Sequence, residues 1–233
     1  MLPLKDNVPT RRFPIETVAI IVANFVVWIF WQGMGAGESF QSSLVDGSYY
    51  PCEVEESCRD RGFDWPVNAF TSMFMHGSWD HILGNMLFLW IFGNNVEDTL
   101  GRIRFPIFYV LGGFAATALQ SFVTLQFGTQ ADANIPNLGA SGAISAVLGA
   151  YFVLVPNSTI LTFVPPFFIL NIPSVVYLGL YFLYQLIVGG VSFVSPEEGG
   201  GVAYFAHIGG ITFGLLTARF FAAGRQRPLA ATY

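Results

Sequence analysis

Asn137-Leu138-Gly139-Ala140-Ser141-Gly142-Ala143-Ile144-Ser145-Ala146-Val147-Leu148-Gly149 carries a polar loop into an apolar helix and leaves one serine between two glycines. Gly139 and Gly142 remove side chains on both sides of Ser141, so a substrate backbone would approach the hydroxyl closely and the chain would bend sharply into the helix. Ser141 is therefore a candidate nucleophile. A second reading competes with it: Gly142, Ala146 and Ala150, with Ser145 and Gly149 beside them, also describe a membrane helix packed tightly on a neighbour. The choice falls to the rest of the chain.

Working outward, the 233 residues are 53% hydrophobic and only 11% charged, a balance typical of integral membrane proteins rather than soluble domains. A spanning helix needs about 20 mostly apolar residues, and six segments qualify. They run from Thr17 to Trp31, from Trp79 to the polar turn at Gly93 to Glu97, from Phe105 to Phe127, from Ser141 to Val155, from Ser174 to Val191 and from Ala203 to Arg219. The fourth is short, which leaves room above it for water and irregular backbone. Thr159 to Ile172 holds Pro165-Pro166 and is followed by Pro173, so it is expected to be a membrane-lying inner loop. The fold expected is an all-α polytopic bundle of six transmembrane helices. One domain would cover 1–233, with its membrane core at about 14–222 between short tails.

The net charge of -5 hides an asymmetry. Lys5, Arg11, Arg12, Arg102, Arg104, Arg219, Arg225 and Arg227 flank one side, whereas only Arg59 and Arg61 lie among the acids of the other loops, which include Glu53, Glu55, Glu56, Asp60, Asp64, Glu197 and Glu198. The positive-inside rule puts both termini in the cytoplasm and the acidic loops outside, in the cell membrane. No basic patch for nucleic acid is present in the sequence. The first apolar segment runs into Gln32-Gly33-Met34-Gly35 without a small-residue cleavage site and is expected to be a retained helix.

The long outer loop, Gly33 to Thr71, holds both cysteines, Cys52 and Cys58, which form either a disulfide or two free thiols. Its aromatics Tyr49, Tyr50, Phe63 and Trp65 would suit a loop lying partly in the interface, or one simply solvated.

Polar groups inside a span are costly and default to a functional role. His81 and Asn85 stand on one face of the second helix, although interhelical hydrogen bonding would also account for them. His207 opens the sixth. The second, fourth and sixth helices all run inward, each with its polar residues near the outer end, so Ser141, His207, His81 and Asn85 share one depth. The small faces Gly142-x-x-x-Ala146 and Gly210-x-x-x-Gly214 would let the fourth and sixth helices touch and bring serine to histidine.

With these residues assembled, the chain resembles a bacterial rhomboid intramembrane serine protease. The resemblance rests on Gly139-x-Ser141-Gly142, His81-x-x-x-Asn85 and Ala206-His207-x-x-Gly210-x-x-x-Gly214, supported by Phe74-Met75-His76-Gly77, Gly93 and Glu97. It implies a six-helix fold and hydrolysis of peptide bonds in or near the membrane segments of single-span proteins held in the lipid bilayer. It assigns nucleophile to Ser141, general base to His207 and oxyanion contacts to Asn85 and His81, with His76 supporting the outer loop. Neither cofactor nor metal is implied. Two positions depart from the pattern: Ser145 replaces an aromatic expected against the base, and the outer loop lacks a Trp-Arg pair. No acid lies beside His207, and Asp80 is read as a cap of the second helix. Helix five and the loop Ser195 to Gly201 are the elements expected to move for substrate entry. The alternative function is a non-catalytic relative that binds client helices in the same cavity.

Overall fold

The computed structural model describes residues 1–55, 57–58, 63–194, 203–225 and 228–229. The helical segments fall where the apolar runs predict. α1 (Ile15–Val26) continues through a π-helical stretch at Val27–Trp31. The outer loop then folds into α2 (Gly37–Gly47) and α3 (Trp65–Thr71). The second predicted segment is α4 (Trp79–Phe88), a π-helical stretch at Leu89–Gly93 and α5 (Asn94–Leu100). α6 (Arg104–Phe127), the short α7 (Gln130–Ala133), α8 (Ser141–Leu154), α9 (Ser174–Val194) and α10 (Tyr204–Phe221) complete the helices. Two of these stretches, Arg104–Phe127 and Ser174–Val191, are long and apolar enough to cross a membrane by length and composition.

The all-α expectation needs correction. Leu2–Asp6 (β1), Thr159–Val164 (β2) and Phe168–Pro173 (β3) form an antiparallel sheet in the order β1-β2-β3, so the protein is mostly helical with a small sheet. The supposed inner loop is thus a hairpin, and part of the supposed tail is a strand. The reason lies in side chains: Thr159-Ile-Leu-Thr-Phe-Val and Phe168-Ile-Leu are β-branched and aromatic runs that favour a pleated surface. Pairing of Leu2 with Phe163 and Asp6 with Ile160 covers one edge of the hairpin.

α8 is the buried axis, with every residue from Gly142 to Tyr151 buried. α10 lies directly on it: a methyl added at Gly210 would strike the carbonyl of Gly142, one at Gly214 that of Ala146, and one at Gly149 that of Ile211. The small faces therefore serve close backbone approach. The lower end of α8 is tied by Tyr151, whose hydroxyl donates to Asp6 Oδ2 at 2.7 Å, while Asn95 Nδ2 donates to the same oxygen at 2.6 Å. Burial pushes the Asp6 carboxyl above its ordinary range, against the smaller opposing effect of these hydrogen bonds. α1 begins on Pro14 without a side-chain cap. Glu97 of α5 supplies one instead, accepting from the N–H of Glu16 (3.1 Å), the N–H of Thr17 (2.8 Å) and the Thr17 hydroxyl (2.7 Å).

Cys52 and Cys58 are joined as a disulfide across a Cα separation of 5.3 Å. The outer-loop aromatics divide. Tyr49 and Tyr50 are buried, whereas Phe63 and Trp65 are exposed. The expected mobile loop from Ser195 to Gly201, with Glu197 and Glu198, lies outside the described residues, as do Glu56, Arg59, Asp60, Arg61 and Arg227.

Candidate active site

Ser141 is the first residue of α8, and its position is set by the loop before it. The N–H of Asn137 donates to the Tyr49 carbonyl at 2.7 Å and the N–H of Tyr49 returns to Asn137 O at 3.2 Å. The N–H of Gly139 donates to Ser72 O at 2.9 Å. The outer loop thus grips the serine loop by its backbone, and the Tyr49 hydroxyl is itself held 2.7 Å from Ser121 of α6. Gly139 sits at φ +126, a conformation that side chains rarely adopt, and a Cβ there would come within 2.8 Å of His81 Nε2. The glycine is what allows the His81 ring to lie over the chain leading to Ser141.

The four predicted residues line one cavity of about 490 Å³, between α4, α8, α9 and the start of α10. His207 Nε2 stands 2.8 Å from Ser141 Oγ. Its other nitrogen, Nδ1, stands 2.9 Å from Oε1 of Gln185 on α9. An amide oxygen only accepts, so Nδ1 carries the ring proton and Nε2 presents a lone pair to the serine hydroxyl. A base so oriented takes a proton from Ser141 as Oγ attacks an electrophile. Ser145 lies buried against Gly210, on the α10 side of the helix. The partner of His207 is Gln185, a buried amide in an otherwise apolar helix. No motif in the sequence marks Gln185 as a site residue; its only signal is that of a lone intramembrane amide.

Asn85 Nδ2 lies 2.9 Å from His76 Nε2. His76 is fully buried and fixed at its backbone by Gln32, which accepts from its N–H at 2.8 Å and donates to its carbonyl at 2.9 Å. His76 therefore does more than brace the loop: it occupies one amide proton of Asn85 and leaves the other for the cavity. The rings of His76 and His81 meet edge to face at 5.0 Å. His81 Nδ1 accepts from the N–H of Gly77 at 3.4 Å, so the proton of its neutral ring lies on Nε2. The cap of α4 is Ser78, which accepts from the N–H of His81 at 3.2 Å. Asp80, the expected cap, instead stands exposed in the first turn, on the cavity wall, where its charge suits the helix N-terminus.

The arrangement holds a hydroxyl, an oriented imidazole, an amide and a second ring N–H around one concave space. That is the set needed for acyl transfer to serine with donors for a developing oxyanion.

Comparison with known proteins speaks to the family of the chain. Residues 65–224 match the family model described as Rhomboid domain. Rhomboid protein 1, mitochondrial, of Saccharomyces cerevisiae is 31% identical over 171 residues, which are 71% of this chain and 46% of the yeast protein. RHOMBOID-like protein 1 of Arabidopsis thaliana is 31% identical over 153 residues, 65% of this chain and 33% of the plant protein. Presenilin-associated rhomboid-like protein, mitochondrial, of Homo sapiens is 33% identical over 97 residues, 41% of this chain and 24% of the human protein. The chain spans less than half the length of these relatives.

Proposed function

The chain belongs to the rhomboid family of membrane-embedded proteins, a family of intramembrane proteases, and on that premise we propose that it is a serine endopeptidase cutting single-span membrane proteins in or near their transmembrane segments. The observation that carries the reading is the chain of contacts from Ser141 Oγ to His207 Nε2 and from His207 Nδ1 to Gln185, at 2.8 and 2.9 Å.

Ser141 Oγ attacks the scissile carbonyl as its proton passes to His207 Nε2. The carbonyl oxygen gains charge and is met by Asn85 Nδ2–H, His81 Nε2–H and the N–H of Ser141. His207 then gives the proton to the leaving amine, and an acyl-enzyme remains on Ser141. A water, activated by the same imidazole, releases the acid and restores the serine. Gln185 holds the ring in the required tautomer throughout; it is a positioning residue. The membrane proposed is the cell membrane, with both termini in the cytoplasm, on the sorting of arginines along the chain; the yeast and human relatives are by name mitochondrial.

Purified protein in liposomes, incubated with a labelled single-span substrate, tests the reading. Cleavage that disappears in Ser141→Ala supports it. Absence of cleavage across several substrates, with client helices still retained, would favour a non-catalytic binding protein.

A further inference from the structure

At the opposite end of α10 from His207, a cavity of about 260 Å³ is lined by Arg11, Arg12, Arg102 and Arg225, with Glu97 and Asp98. We propose that this cavity binds the phosphate of an anionic phospholipid headgroup. The inference is independent of proteolysis.

Both carboxylates are already committed. Asp98 accepts from the Arg11 guanidinium at 3.1 Å and from the Arg11 N–H at 3.2 Å. Glu97 is engaged by the three donors at the start of α1. Arg12, Arg102 and Arg225 come from three distant parts of the chain and converge on the cavity without a carboxylate within ion-pair distance among the described residues. Arg104, one turn away, serves a different purpose: it donates to the carbonyls of Phe221 and Ala223, each at 2.8 Å, and fastens the end of α10. Surplus guanidinium groups around a concavity match a tetrahedral oxyanion, which their planar forks contact through two oxygens at once.

Bare backbone seats one of the three arginines. Gly101 sits at φ +82, and a Cβ there would stand 3.0 Å from Nη2 of Arg225. The guanidinium therefore rests against bare chain. The rim identifies the source of the phosphate. Arg12 and Arg102 are each followed by an exposed apolar side chain, Phe13 at 64% and Ile103 at 75% accessibility. A soluble phosphate makes no use of such neighbours. A phospholipid does, because its headgroup and acyl chains meet where charge gives way to hydrocarbon.

Native mass spectrometry of the full chain in neutral detergent, titrated with dioleoyl phosphatidylglycerol or dioleoyl phosphatidylcholine, reads the preference directly. Phosphatidylglycerol is expected to bind about tenfold more tightly, the scale of losing charge-assisted hydrogen bonds. The Arg102→Gln, Arg225→Gln double variant should lose that preference, whereas Arg219→Gln, outside the cavity, should keep it. Equal binding of the two lipids by the wild-type protein overturns the proposal whether or not the variants fold. So does equal loss in Arg219→Gln, which would reduce the effect to overall charge. Displacement of the lipid by millimolar inorganic phosphate, with Phe13→Ser and Ile103→Ser unchanged in lipid affinity, would make this a soluble-anion site and overturn the lipid assignment.

Discussion

Gln185 Oε1 and His207 Nδ1, 2.9 Å apart, join α9 to the first turns of α10 and so link the wall of the cavity to its base. α9 is one of the two elements, with the loop Ser195 to Gly201, that the sequence offers as candidates to move for substrate entry. An outward displacement of α9 would open the cavity and release the imidazole together, so the base would be fully oriented only when the wall had closed again.

That relationship predicts different outcomes for two substitutions. Gln185→Leu removes the acceptor and should lower kcat by about tenfold to a hundredfold, the scale of one hydrogen bond to a group that becomes charged. KM should change little. Gln185→Glu keeps an acceptor and should retain more activity than Gln185→Leu. Similar losses in both variants, or a change carried mainly by KM, would mean that Gln185 only packs.

Ser141→Ala and His207→Ala should each abolish cleavage, and each should also remove labelling by a fluorophosphonate, because nucleophile and base act as one unit. Asn85→Ala should cost about a hundredfold or more yet leave measurable turnover, since His81 and the Ser141 N–H remain as donors. The ranking fails if losing Asn85 is as complete as losing Ser141.

The positions of the long helices were legible because apolar runs of spanning length leave few alternatives, and the serine, the histidines and Asn85 were legible because polar residues in such runs are expensive. The sheet was not. Proline-bearing apolar residues between two spans fit a membrane-lying loop as well as a hairpin, and only pairing with a strand some 150 residues away in sequence decides between them. The role of Gln185 was hidden for a similar reason: a single amide marks the helix, but its partner depends on which side of α9 faces His207, and a largely apolar helix has no periodicity to reveal that. The grip of Tyr49 and Ser72 on the serine loop is made by backbone groups, to which side-chain patterns are blind.

Gly139→Ala should impair activity well beyond its effect on folding, because a methyl at φ +126 would press on His81 Nε2. Gly190→Ala on α9, where an added methyl meets nothing within 4 Å, is the matched control and should be close to neutral. Circular dichroism and substrate cleavage measured together make the comparison. Equal activity in the two variants would remove the steric role assigned to Gly139.

Asp6 predicts a pH dependence of stability. Its carboxyl is raised in the folded protein, so the folded state holds the proton more firmly than the unfolded chain. Stability from this group is fully present below the ordinary carboxyl value of 3.8 and is lost as pH rises through the higher folded value. Asp6→Asn cannot ionise and should flatten that segment of the curve. Thermal unfolding in detergent across this range checks it; parallel curves for the two proteins would refute the assignment.

The pairing of β1 with β2 also imposes an order on synthesis. Leu2 finds its partner at Phe163 and Asp6 at Ile160, so the first strand emerges long before its template exists. At ribosomal speeds of about 5–20 residues per second the gap is on the order of ten seconds. During it Asp6 has neither Tyr151 nor a sheet to shelter it, and the foot of the serine-bearing helix cannot be tied. β1 is a clasp fastened late: α1 to α8 are all made before this strand can lock them together.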